Sequence, residues 1–171
     1  MAFSLYERWI LRKSELVTEF YSYIEELLQH DMVMELDNYI HHYCFTRLKH
    51  SLDVAYFSFF VAKLLHWDCR SVARAGLLHD LFHYIRKEEN FGNSSHTKVH
   101  PALALENAKN ICDLNKVEED IILKHMWLAT PVPPRYKEGY IVTFVDKFCA
   151  VTELTKSLFT RSRLRALNSG I

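Results

Sequence analysis

Six side chains carry the strongest chemical signal in this chain: His50, the adjacent pair His79 and Asp80, His100, His125 and Asp146. Imidazole ligates metals and moves protons near neutral pH. A carboxylate is a hard oxygen ligand, and it can serve two cations at once. Their surroundings are apolar. The pair sits in Ala75-Gly76-Leu77-Leu78-His79-Asp80-Leu81, His125 follows Ile121-Ile122-Leu123-Lys124, and Asp146 follows Ile141-Val142-Thr143-Phe144-Val145. An ionisable group in such a stretch is costly to bury unless it is neutralised or coordinated. Taken singly, each histidine reads as a hydrogen-bonded and chemically idle core residue. Taken together with two carboxylates, the set reads as ligands offered by separate helices to a shared interior, as bundles build metal sites.

Those side chains need helices to hold them. Apolar residues recur at helical spacing from Leu5 to about Gln29, which predicts one or two helices. Leu36 to Tyr43 reads as a short helix or turn. Thr46 to His66 reads as a long helix and Ser71 to Tyr84 as a second core helix with Ser71 as its N-cap. Glu88 to Lys98 has loop composition. Pro101 suits the first turn of a helix ending near Cys112. Lys116 to Leu128 opens with Glu118, Glu119 and Asp120, which favour the positive end of a helix. The prolines from Pro131 to Pro134 exclude helix there. A last helix runs from Gly139 or Tyr140 to about Leu158, followed by a basic tail. Nothing reads clearly as a strand, so the fold class expected is all-α.

Bulk properties narrow the function. With 171 residues the chain fits one domain. Lys plus Arg equals Asp plus Glu at 21 each, which argues against a large basic face and so against a nucleic-acid duplex as partner. No apolar run is long enough for a membrane span. Met1 to Arg8 is charged too early for a secretion signal. Cys44, Cys69, Cys112 and Cys149 form no Cys-x-x-Cys pair, so they read as reduced thiols in a cytoplasmic protein.

The order His50, His79-Asp80, His100, His125, Asp146 resembles the HD-domain superfamily of metal-dependent phosphohydrolases, over about Thr46 to Glu153. The resemblance implies a bundle of about five core helices over residues 46–156, with an N-terminal helical extension (1–45) and a C-terminal tail (157–171). It implies that His50, His79 and Asp146 hold a first metal, that Asp80 bridges, and that His100 and His125 hold a second. Such a ligand set suits iron or manganese, with zinc as an alternative. Two such ions supply hydroxide near neutral pH and neutralise charge at phosphorus. The substrate expected is a nucleotide or other small phosphate ester.

One position departs from that pattern. Two-metal relatives often carry a lysine three residues after the aspartate, and here it is His83. His83 is accordingly grouped with Asp80 and Lys147 as a candidate catalytic residue. His79 and His83 also mimic the zinc-peptidase spacing, with Asp80 in place of glutamate; that reading leaves His50, His125 and Asp146 unused. Lys124, Arg135 and Trp127 are candidate substrate contacts, each competing with a plain surface or packing role. Lys137, Arg86 and Lys87 are further cations, Tyr136 a further aromatic, and His96 a candidate for a place over the metals. His42 lies two helical turns before His50 and is left outside the metal set. Two other functions stay open: a non-catalytic metal- or ligand-binding signalling module, and a di-iron oxygenase on the same fold. Phe3, Tyr6 and Trp9 read as a homodimer contact or as a cap on the core.

Overall fold

The computed structural model describes residues 5–42, 45–85, 89, 91 and 94–168, without the side chains of 5–13, 41–42 and 160–168. Phe3, Arg86 and Lys87 fall outside the described residues, as do the side chains of Tyr6, Trp9 and His42. Among the described residues there are seven α-helices and one two-stranded ladder. The all-α expectation therefore holds for the architecture.

Helix α1 (Leu5–Ile24) ends on the buried Phe20 and Ile24. A 3-10 turn at Leu27–Gln29, the short α2 (Asp31–Met34) and a second 3-10 turn at Glu35–Asn38 follow, burying Leu27, Val33 and Leu36. Strand β1 (Ile40–His42) then pairs antiparallel with β2 (Phe45–Thr46). The region predicted as a short helix or turn is thus split between a 3-10 turn and a strand. The strands are too short to show a two-residue alternation in sequence.

Helix α3 (Arg47–Leu65) begins where the Thr46 hydroxyl accepts the Lys49 N–H at 3.2 Å. It ends where His66 turns left-handed, at φ 55°. Helix α4 (Cys69–Leu78) is capped by Asp68, which accepts the Ser71 N–H at 3.0 Å. Ser71 is therefore not the cap; it lies in the first turn and donates its hydroxyl to the other Asp68 oxygen. These two helices form the largest contact in the fold, and Gly76 makes it close. A Cβ on Gly76 would sit 2.8 Å from the Ala55 Cα, so no side chain fits there.

Helix α5 (His96–Ile111) starts five residues before Pro101, which lies in its second turn rather than its first. The helix tolerates the missing donor because only one bond, to the Thr97 carbonyl, is forfeited. Helix α6 (Lys116–Lys124) carries a capping box: Asn115 accepts the Val117 and Glu118 N–H groups, and Glu118 accepts the Asn115 N–H. Glu118 is also buried against Arg74 at 2.8 Å, which ties the start of α6 to α4. The acidic opening seen in sequence is thus a buried ion pair as well as a response to the helix dipole. Helix α6 stops at Lys124, four residues short of the expected end.

The proline segment is non-helical, as expected. It leads into α7 (Lys137–Asn168), whose 32 residues run ten beyond the expected end and through the supposed tail. Phe59, Leu77, Leu78, Leu81, Ile121 and Ile122 are fully buried where α3, α4 and α6 meet. Each contributes roughly 1.5–3 kcal/mol by leaving water.

Candidate metal centre

The doublet does not lie inside α4, as expected, but just past it. Leu78 is the last helical residue and His79 is the C-cap. The chain then turns, with the Leu81 N–H on the Leu78 carbonyl at 3.1 Å and the Phe82 N–H on the Asp80 carbonyl at 2.8 Å. A remote residue holds the turned chain in place. Arg47, buried at the start of α3, donates to the Phe82 carbonyl and, at 3.1 Å, to the Tyr84 carbonyl. Its guanidinium also lies 3.7 Å over the Phe82 ring. The apolar run Leu81-Phe82 is thus anchored to α3 instead of extending α4.

His125 occupies the same station on α6 that His79 occupies on α4. Each is the C-cap of its helix, and each donates Nδ1–H to the carbonyl three residues back: Gly76 at 2.7 Å and Ile122 at 2.8 Å. His100, within α5, donates Nδ1–H to the His96 carbonyl at 2.8 Å. A carbonyl oxygen only accepts, so these three rings carry a proton on Nδ1, and in the neutral ring Nε2 is the lone pair. That is the tautomer in which a histidine ligates through Nε2 while its other nitrogen is held by backbone.

All four Nε2 atoms converge with the two carboxylates. His50 Nε2 is 3.1 Å from Asp146 Oδ1, and His79 Nε2 is 3.7 Å from the same oxygen and 3.8 Å from Asp80 Oδ2. Asp80 Oδ1 faces His100 Nε2 at 3.3 Å and His125 Nε2 at 3.7 Å. His50, His79 and Asp146 bring three ligand atoms within 4.8 Å of one another, and so do His79, Asp80 and His125. The six residues of the sequence-derived set therefore meet in one buried cluster. Its most exposed member, Asp146, keeps only 9 % of its surface in contact with solvent.

Electrostatics divide the cluster. His50 stands between two acceptors, with Nε2 on Asp146 and Nδ1 on Glu153 Oε1 at 2.9 Å. Burial opposes its charge, but the two carboxylates outweigh burial and push it up to about 10. His79 is also raised: burial opposes, and Asp80 and Asp146 prevail. Asp146 is buried, which disfavours its charge, yet His50 and His79 hold it well below the usual carboxylate range. His100 and His125 go the other way. Burial lowers both, and His79 and His100 drive His125 further down, to about 3.

Two observations test whether these residues fit metal ions. His79 Nε2 is fully buried and makes no hydrogen bond. His100 Nε2 and His125 Nε2, both lone pairs by the tautomer argument, face each other at 2.9 Å. Lone pairs at that distance repel unless a proton or a cation lies between them. Orphaned imidazole nitrogens beside carboxylates are the donor set of a transition-metal site, so the residues fit.

Other sequence candidates are placed differently. Lys147 reaches the edge of the cluster: its ammonium lies 3.9 Å from Asp146 Oδ2 and donates to the His125 carbonyl at 3.1 Å. Burial lowers its proton affinity against the pull of Asp146. His83 turns away, donating from Nε2 to the Met32 carbonyl at 2.8 Å, beside Tyr39. Because α4 ends at Leu78, His79 and His83 share no helix face, and the peptidase-like arrangement is not formed. Lys124 pairs with Asp120 at 2.6 Å, and Asp120 also accepts the Arg135 N–H at 2.7 Å. Lys124, Arg135 and Tyr136 line a separate shallow pocket of about 420 Å³ that none of the six ligand candidates lines. Lys137 lies 4.7 Å over the Trp67 ring. Trp127 packs edge-on against Tyr140 at 5.1 Å. His96 stacks on His100 with centroids 4.3 Å apart and bonds the Tyr84 hydroxyl at 2.9 Å.

Two residues of the site were not singled out from the sequence. Glu153 lies two helical turns after Asp146, on the same face, and that seven-residue spacing is the signal that finds it. Arg47 gave no local signal, since its role depends on carbonyls far along the chain. Compared with protein-family models, curated proteins and solved structures, the chain matches none.

Proposed function

We propose that this chain is a metal-dependent phosphohydrolase of the HD-domain type, dinuclear, acting on a nucleotide or other small phosphate ester. One observation carries the reading: four imidazole Nε2 atoms and two carboxylates converge in a buried cluster in which His79 Nε2 has no hydrogen-bond partner and His100 Nε2 faces His125 Nε2 at 2.9 Å. His50, His79 and Asp146 would hold one ion, His100 and His125 the other, and Asp80 faces both sets. Iron or manganese suits these donors best. Bound there, the ions would supply hydroxide near neutral pH and neutralise charge at phosphorus.

The remaining work falls to the chain itself. Glu153 fixes the His50 ring from behind, so that Nε2 stays aimed at the cluster. The backbone carbonyls of Gly76, His96 and Ile122 do the same for the other three rings. Lys147, whose ammonium lies 3.9 Å from Asp146 Oδ2, would meet a phosphate oxygen. His83 bonds the Met32 carbonyl and is left outside this reading. Free thiols at Cys69, Cys112 and Cys149 support a reducing compartment, the cytoplasm.

Metal analysis of protein purified without chelators, paired with phosphate release from a nucleotide panel, tests the reading. The expected result is close to two ions per chain and phosphate release that Asp80→Asn abolishes. Two ions without turnover on a broad panel would instead favour a binding module. Oxygen consumption with a non-phosphorylated substrate would favour an oxygenase.

A further inference from the structure

Helix α7 has two opposed faces. Val142, Asp146, Cys149 and Glu153 recur at helical spacing on the buried one. Phe144, Phe148, Val151, Leu154 and Leu158 recur at the same spacing on the other, and all are exposed. Phe148 and Val151 each leave more than 60 % of their surface in solvent. The first half of this stripe is concave. With Phe57, Phe60 and Trp67 around α3, the aromatic residues of α7 line a groove of about 480 Å³. The second half, Val151, Leu154 and Leu158, is exposed beyond that groove.

We infer that α7 is the interface of a symmetric dimer, in which a second copy of this chain lays its own α7 antiparallel across the groove. Three features favour this occupant. The two halves of the stripe are complementary, and a two-fold axis uses both. Val151 lies midway in sequence between Phe148 and Leu154, and midway between Phe144 and Leu158. An axis through Val151 therefore sets Phe148 against the partner copy's Leu154, and Phe144 against its Leu158. The second half of each stripe then lies over the other's groove, the self-complementarity that a two-fold contact requires.

The area is also sufficient. At about 200 Å² for a fully exposed phenylalanine, the exposed fractions of Phe57, Phe60, Phe144, Phe148 and Phe159 leave on the order of 500 Å² of ring in water. Leu64, Leu65, Val151, Leu154 and Leu158 add more, at 40–65 % exposure. The total approaches the roughly 800 Å² per partner of a stable interface, and it exceeds the largest apolar patch of an ordinary monomer. Finally, the stripe carries one charged residue, Lys147, and its ammonium is turned onto backbone carbonyls. Antiparallel pairing also sets opposite helix dipoles side by side.

Light scattering on the full chain at tens of micromolar should give twice the monomer mass of 20.2 kDa. Val151→Glu places two carboxylates on the axis. It should return the mass to that of one chain, weakening association on the order of a hundredfold or more. The position is exposed, so the helical circular dichroism should not change. Val151→Cys should cross-link into a covalent dimer with a short bis-maleimide, while Tyr21→Cys on α1 should not. A wild-type monomer, a dimer indifferent to Val151→Glu, or equal cross-linking at both cysteines would overturn the inference. So would a monomer that binds phosphatidylcholine vesicles through these residues, which would make the stripe a lipid contact.

Discussion

The two halves of the candidate metal centre are built from the same kinds of side chain but balanced in opposite directions. In the His50 half, one imidazole lies between the carboxylates of Asp146 and Glu153 and is pushed up to about 10. In the His125 half, two imidazoles face each other across 2.9 Å, share one nearby carboxylate, and are both pushed down. In the first half His50 is held charged by its carboxylates, whereas in the second the neutral rings of His100 and His125 present lone pairs to each other.

The largest expected effect separates the halves outright. His125→Ala should lower the metal content from two ions to one, because His50, His79 and Asp146 keep their own donors. Loss of both ions, measured on chelator-free protein, would show that the halves are one cooperative unit and would break the contrast. A smaller effect is expected of Glu153→Gln. It removes the carboxylate behind His50, and such outer partners typically change metal affinity about 10–100-fold. Titration of the two sites should show that loss in one of them only.

The smallest step is in pH, measured by urea unfolding of metal-free protein. His125 is held at about 3 in the folded chain, below the 6.5 of a free imidazole. Between those values the unfolded chain binds the proton and the folded chain does not. This group's contribution is therefore complete above about pH 6.5 and is lost as pH falls towards 3. His50, raised to about 10, runs in reverse: its contribution is complete below about pH 6.5 and is lost as pH rises through 10. Each group changes the folded-to-unfolded ratio by at most about tenfold per pH unit. Metal-free stability that rises steadily from pH 6.5 to pH 4 would contradict the assignment of His125 as a neutral ring.

Much of this was legible because it is local. His50 and Asp146 interrupt apolar helical runs, and a buried charge among leucines and valines needs a reason that the sequence itself displays. The helices of the bundle follow from the same periodicity. What escaped notice depends on distant contacts. The apolar pattern of α4 continues through Leu81 and Phe82, yet the helix ends at Leu78 and Arg47, far back in the chain, holds the segment that follows. The peptidase-like spacing of His79 and His83 needed that unbroken helix. Once the chain turns after Asp80, the His83 ring meets the Met32 carbonyl instead. Glu153 escaped for the opposite reason, since its neighbours Thr152, Thr155 and Lys156 make it look like part of a solvated face.

Gly76 gives the centre a dimension. Its missing side chain lets the α4 backbone come within van der Waals distance of Ala55 on α3. The rings of His50 and His79, carried by those two backbones, stand 5.5 Å apart as a result. The closeness of two helices thus works as a calliper, and the jaws are imidazoles. A single methyl group at position 76 would wedge the jaws open without touching either ring, so the spacing of these candidate ligands is written partly in a residue that has no side chain at all.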